Sequence, residues 1–287
     1  MQPLIPHFSA PSIPLGFGLA LSTPGLLLSV GIFAGLIVAS RKARRDGLDS
    51  ALLVGFVPWL VVGIVVGGHL GYLLFYAPEQ LIADPASPFR VWQGQSSYGG
   101  FLTCALFGAW YFRRKLRATA RPQGTDPELG KAWGYYDALL YGLTLGWFFG
   151  RMGCFSIHDH PGIETHFWLG VYGICPGGDS HSACHDLGLY EGLFSLLLFA
   201  MLTVLDRKPR FCGFHVALVS ILYGVVRFLL DTLRHPDVDA RYLGLTPGQY
   251  GSVMLLLFGL WIWQRRDRRP RNPRRPGQAH PALRKGH

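Results

Sequence analysis

The stretch FCGFHVALVSILYGVVRFLLDTLR, residues 211–234, decides how the rest of the chain is read. Residues 211–230 carry a single arginine or lysine, Arg227, and no acid, and about 20 predominantly apolar residues are what a helix needs to cross a bilayer. Tyr223, Arg227, Asp231 and Arg234 are spaced four, four and three apart, so they lie close to one helical face. Charge at membrane depth is costly and persists where it pairs or binds something. Two readings stay open for this face. It is either an intramembrane Arg–Asp pair joining two helices, or an anion site in which Arg227 receives a lipid phosphate while Asp231 fixes its guanidinium.

Outward from this stretch, six more apolar spans read as approximately 23–40, 51–76, 99–113, 133–150, 189–205 and 247–264. The 287 residues are 49% hydrophobic and 15% charged, against roughly a quarter charged in soluble domains. The expected fold class is all-α: a polytopic integral membrane domain of about seven helices over residues 1–264, followed by a basic tail at 265–287 expected to be disordered. No positively charged region precedes the first span and no small-residue cleavage pattern follows it, so that span is expected to be retained. The third span is short and opens on Gly99-Gly100; it is expected to be tilted, extended by the preceding turn or partly re-entrant.

Basic clusters at 41–45, 113–115, 206–210 and 265–287 follow spans one, three, five and seven. The positive-inside bias then sets the amino terminus outside and the carboxyl terminus in the cytoplasm. Segments 77–98 and 151–189, with the turn 235–246, face outward. Net charge is +10, and the tail holds nine Lys or Arg against one Asp, so the basic character is local. Directly behind an apolar span, such a tail suits anionic headgroups, and nucleic acid is not an expected partner. The five cysteines include no CxxC pair, which excludes a zinc ribbon or thioredoxin-type redox motif.

Arg151 lies in Gly150-Arg151-Met152-Gly153-Cys154-Phe155, where span four leaves the membrane on the outer side. A cation there runs against the positive-inside bias, which points to a phosphate partner, and the flanking glycines let a ligand approach the backbone. The following segment holds His158, Asp159 and His160, then His166, His181, His185 and Asp186. An imidazole titrates near neutral pH, so His158 or His160 suits general-base chemistry. The same residues also read as polar loop residues or as metal ligands, although no HExxH helix is present, and no metal is assigned. Cys175 and Cys184 share this outer segment, where an oxidising compartment permits a disulfide. Cys154 is either a small buried apolar side chain or a thiol acidified by Arg151.

The Gly-Arg-x-Gly-x-Phe turn at 150–155 resembles the signature loop of the bacterial prolipoprotein diacylglyceryl transferase family. Residues 67–76, GGHLGYLLFY, resemble the end of that family's second helix, and Ser97-Tyr98-Gly99-Gly100 resembles its His-Gly-Gly element. Tyr190-Glu191, the face from Tyr223 to Arg234, and Gly248-Gln249 with Ser252 match its later helices in the same order, so the likeness runs from about residue 20 to 260. The resemblance implies transfer of a diacylglyceryl group from phosphatidylglycerol to the lipobox cysteine of prolipoprotein signal peptides, in the bacterial inner membrane and without a cofactor. It implies that Arg151 and Arg227 hold the phospholipid headgroup, supported by Gly99, Gly100, Tyr223, Asp231, Arg234 and Gln249, with Tyr98 and Asp159 near the reacting thiol; His158 joins them as a catalytic candidate on its imidazole chemistry alone.

Four positions depart from the family pattern: Tyr98 for its usual His, Cys154 for Asn, Pro24 for Tyr and His69 for Arg. A phenol titrating at about 10 is a poor base at neutral pH. Either Tyr98 orients substrate while another group takes the proton, or the acceptor differs. A non-catalytic lipid-binding or transport role also stays open, though no inverted or parallel repeat is evident.

Overall fold

The computed structural model describes residues 3–10, 12–16, 19–119, 127–235 and 241–266. The basic tail from residue 267 onward lies outside them, as do residues 236–240 of the turn 235–246.

A hairpin of β1 (Ile13–Gly16) and β2 (Leu19–Leu21) leads into α1 (Thr23–Arg45). Ser22 caps α1, its Oγ accepting from Gly25 N at 3.3 Å, and Lys42, Arg44 and Arg45 sit in the last turn, where cations complement the helix dipole. The next span is a composite. It comprises α2 (Ser50–Val62), a π-helical turn at Gly63–Gly67 and α3 (Gly68–Phe75). A short α4 (Pro78–Ala83) follows, then α5 (Ser97–Thr119), α6 (Pro127–Ile157), α7 (Leu187–Leu205), α8 (Phe214–Thr232) and α9 (Pro247–Gln264). Four segments, Thr23–Arg45, Ser50–Phe75, Leu187–Leu205 and Phe214–Thr232, are long and apolar enough to cross a membrane.

The distribution of side chains is that of a protein dissolved in lipid. Phe33 on α1, Leu106 on α5, Leu197 on α7 and Leu257 on α9 are all at least 60% exposed, while Lys42, Asp137, Glu191, His215 and Asp231 are at most 2% exposed. Water would reverse this arrangement, because solvated charge outside and apolar groups inside is the soluble solution. The chain is a mostly helical, multi-pass membrane protein.

Two features correct the expected fold. The helix of the third span runs 23 residues, Ser97–Thr119, longer than the apolar run 99–113 because it starts before Gly99 and continues through Arg114, Lys115 and Arg117. The chain is also not purely helical. Beyond β1 and β2, the strands β3 (Pro161–Glu164), β4 (Val171–Tyr172) and β5 (Ala183–Asp186) form an antiparallel sheet in the order β3-β5-β4. Strands of two to four residues are too short to show an alternating pattern. The Cys175–Cys184 disulfide ties this sheet to the loop before it.

Packing fixes two helix pairs near the site. Between α1 and α6 the backbones touch: a Cβ on Gly35 would lie 2.9 Å from the Gly142 carbonyl oxygen, and one on Gly31 2.6 Å from that of Gly146. Small residues permit such an approach. Asp137 of α6 accepts from the backbone N–H groups of Gly213, His215 and Val216 at 2.7, 2.9 and 3.1 Å, closing the first turn of α8. This positions α6, α7 and α8 side by side, with the sheet at the end where α6 and α8 finish and α7 begins.

Candidate active site

Three helix ends converge beneath the sheet. Asp186, the last residue of β5, caps α7 by accepting from Leu189 N at 3.0 Å, which sets Glu191 on the second turn. Thr246 and Gln249 form a capping box at the start of α9. Tyr223, Arg227 and Asp231 lie on the last turns of α8, and Arg234 follows just beyond its end at Thr232.

Glu191, 1% exposed, is the centre of the cluster. Its Oε1 lies 3.0 Å from Arg151 Nε and accepts from Trp147 Nε1 at 2.8 Å and from the Tyr223 hydroxyl at 2.5 Å; its Oε2 accepts from Arg227 Nη1 at 3.0 Å. Arg227 Nη2 lies 3.0 Å from Asp231 Oδ1, and Arg234 Nε 3.3 Å from the same oxygen. Thr246 donates to Asp231 Oδ2. Three guanidinium groups thus face two carboxylates, which leaves one positive charge in excess.

The arginines are not equivalent. Arg227 spends one Nη on each carboxylate. Arg151 meets Glu191 at ion-pair distance through Nε, and its Nη1 has only weak partners, Cys154 Sγ at 3.8 Å and His160 Nε2 at 3.4 Å. Weak partners leave Nη1 the less committed donor, so Arg151 has capacity for a further anion. Its guanidinium also lies 4.9 Å over the Trp147 ring.

The other candidates fall around this core. Tyr98, at the start of α5, shares a 2.5 Å hydrogen bond with Ser252 Oγ of α9, and its ring lies against Gly251. Gly99 touches backbone: a Cβ there would lie 2.3 Å from the Gly67 carbonyl oxygen, so its small size serves helix packing. Gly100 is buried beside it, with room for ordinary contact. Gln249 holds the α9 cap. His158 has acceptors at both ring nitrogens, Asp186 Oδ2 at 2.8 Å and Phe8 O at 3.0 Å. Asp159 accepts from His160 Nδ1. Burial pushes the Asp186 carboxyl above the usual range, and burial holds His185 below the usual imidazole value.

Sequence reasoning underweighted Glu191, which entered only as the opening of span five. The missed signal was the one used for Arg227, a lone charge in an apolar helix. Thr246, as a partner of Asp231, had no such signal.

The arrangement suits an anionic headgroup: buried cations of fixed geometry at a lipid-facing bundle end, bordered by a thiol, an imidazole and a carboxylate. The model of the family described as prolipoprotein diacylglyceryl transferase matches residues 13–265. Among curated relatives, each named phosphatidylglycerol–prolipoprotein diacylglyceryl transferase, that of Chromohalobacter salexigens is 35% identical over 250 residues, covering 85% of this chain and 88% of its own. That of Solidesulfovibrio magneticus is 33% identical and covers 91% and 96%, and that of Pseudomonas fluorescens is 31% identical and covers 95% and 99%. With a buried Arg–Glu–Arg cluster at its centre and a match over nearly its whole length, the chain belongs to the prolipoprotein diacylglyceryl transferase family.

Proposed function

We propose that this chain transfers the diacylglyceryl group of phosphatidylglycerol to the lipobox cysteine thiol of prolipoprotein signal peptides, releasing glycerol phosphate. The observation that carries the reading is Arg151: buried, anchored by Glu191 through Nε, with an Nη1 held only by weak partners. Phosphate oxygens complement that donor. In this reading residues 1–264 form one seven-span domain in the bacterial inner membrane, the amino terminus and the sheet face outward, and 265–287 is a cytoplasmic basic tail.

The lipid phosphate lies against Arg151 and the positive side of the Arg227–Asp231 pair. The acceptor thiol loses its proton, since the thiolate is the nucleophile, and its sulfur attacks the glyceryl carbon. A carbon–sulfur bond forms as the carbon–oxygen bond to phosphate breaks. The electron pair leaves with the phosphate oxygen, and the fixed guanidinium groups stabilise the charge that gathers there. Tyr223 and Trp147 hold Glu191, and Glu191 holds both arginines, so the site needs little reorganisation.

The test is transfer of labelled diacylglycerol from phosphatidylglycerol to a lipobox-cysteine peptide by purified protein in detergent. A thioether product is expected. Folded protein that binds phosphatidylglycerol and yields no thioether would sink the reading in favour of another acceptor or of lipid binding alone.

A further inference from the structure

We propose that His160, oriented by Asp159, is the general base that takes the proton from the acceptor thiol; this rests on the transferase reading above.

The tautomer follows from the partners. Arg151 Nη1 lies 3.4 Å from His160 Nε2 and can only donate, so Nε2 presents its lone pair. Nδ1 carries the proton and donates it to Asp159 Oδ1. This is an imidazole backed by a carboxylate, and its basic nitrogen is freed for the thiol when Arg151 Nη1 leaves this long 3.4 Å contact for the lipid phosphate. A thiol, a carboxylate oxygen and an imidazole nitrogen from Cys154, Asp159 and His160 lie within 4.8 Å of one another, so a sulfur atom already fits beside this ring.

Access agrees. The His160 side chain is 24% exposed and that of Asp159 39%, against 6% for Arg151. A thiol arriving from the outer side therefore meets the ring before the Arg–Glu core. The backbone at His160 is held, its carbonyl accepting from Leu187 N at 3.1 Å, so the ring is rooted to the helix that carries Glu191.

Other bases near the site are committed elsewhere. His158 and His69 each face acceptors at both ring nitrogens, and Glu191 and Asp231 are held by arginines. Tyr98 is bonded to Ser252.

In the step, the S–H proton moves to Nε2 and the resulting imidazolium is stabilised by Asp159. The sulfur pair forms the bond to the glyceryl carbon, the phosphate oxygen leaves with the C–O pair, and the imidazolium returns its proton to solvent. The charged and titratable groups facing His160 are Arg151 and Cys154 of α6, the adjacent Asp159, and Asp186 of β5, with Glu191 of α7 behind Arg151.

The experiment is the pH profile of kcat/KM for wild type, His160→Gln and Asp159→Asn in the same thioether assay, with phosphatidylglycerol binding and melting temperature measured in parallel. Wild type should show an acidic limb. His160→Gln should lose about 10²- to 10⁴-fold at pH 7, lose that limb, and recover toward about pH 8.5, where a thiol ionises unaided. Lipid binding should be unchanged. Asp159→Asn keeps the ring and should shift the limb to lower pH, which keeps the proposal testable if the glutamine variant unfolds. A wild-type limb in Asp159→Asn, or a rate within threefold in folded His160→Gln, overturns the base assignment alone. Absence of product from wild type overturns the transferase reading and the base with it.

Discussion

Arg151, near the end of α6, and Glu191, near the start of α7, meet at 3.0 Å with side chains 6% and 1% exposed. The same carboxylate holds Arg227 at 3.0 Å, so one acid compensates two buried cations. Removing one partner of a buried ion pair costs about 3–5 kcal/mol because the charge left behind is uncompensated. Glu191→Gln keeps the shape and most of the hydrogen bonding but not the charge. It should lower thermal stability in detergent by that order and abolish transfer. An unchanged melting temperature would show that the arginines find other anions.

Arg227 divides its two Nη groups between Glu191 and Asp231, a fork that a lysine ammonium cannot reproduce. Arg227→Lys should reduce transfer by about 10²-fold or more, the scale of losing a fixed electrostatic donor. Protein yield and melting should stay near wild type. Wild-type kinetics for this variant would remove the phosphate role from α8.

Tyr98→Phe keeps the ring on Gly251 and deletes the bond to Ser252. The expected cost is about 1 kcal/mol of stability and less than tenfold in rate. A loss above about 10²-fold, with an altered pH profile, would instead assign the proton transfer to the phenol.

Cys175 and Cys184 close a short loop, nine residues apart. Their disulfide should contribute about 2–3 kcal/mol to the order of the outer sheet. Dithiothreitol should lower the melting temperature of wild type and leave that of Cys175→Ser unmoved.

Burial depresses the His185 pKa. The unfolded chain therefore takes up a proton at His185 before the folded protein does, and stability present above the unfolded value of about 6.5 is lost as pH falls through the folded value. Melting temperatures between pH 7.5 and 5 should decline more steeply for wild type than for His185→Gln; parallel curves would show that His185 does not contribute.

How much of this was legible in the sequence differs from element to element. The apolar runs at 51–76 and 211–230 became helical segments at Ser50–Phe75 and Phe214–Thr232, because an apolar run of bilayer length has few other solutions. The face from Tyr223 to Arg234 was visible because helical spacing alone brings those residues together. Glu191 was harder, since its meaning depends on α7 leaning against both α6 and α8, a relation no local pattern carries. The same limit hid Asp137, whose task is to close a helix that begins 77 residues later. The outer sheet was illegible for another reason: its strands are too short for a period, and its order is set by pairing with β5.

The seam between α1 and α6 has a consequence for how a two-tailed lipid reaches Arg151. Where Gly31 and Gly35 meet Gly142 and Gly146, no side chains stand between the backbones to swing aside. That wall can part only by moving whole helices, against the dispersion contacts along its length. Seams filled by full side chains can widen by rotamer changes alone, whereas the glycine seam acts as a fixed jamb.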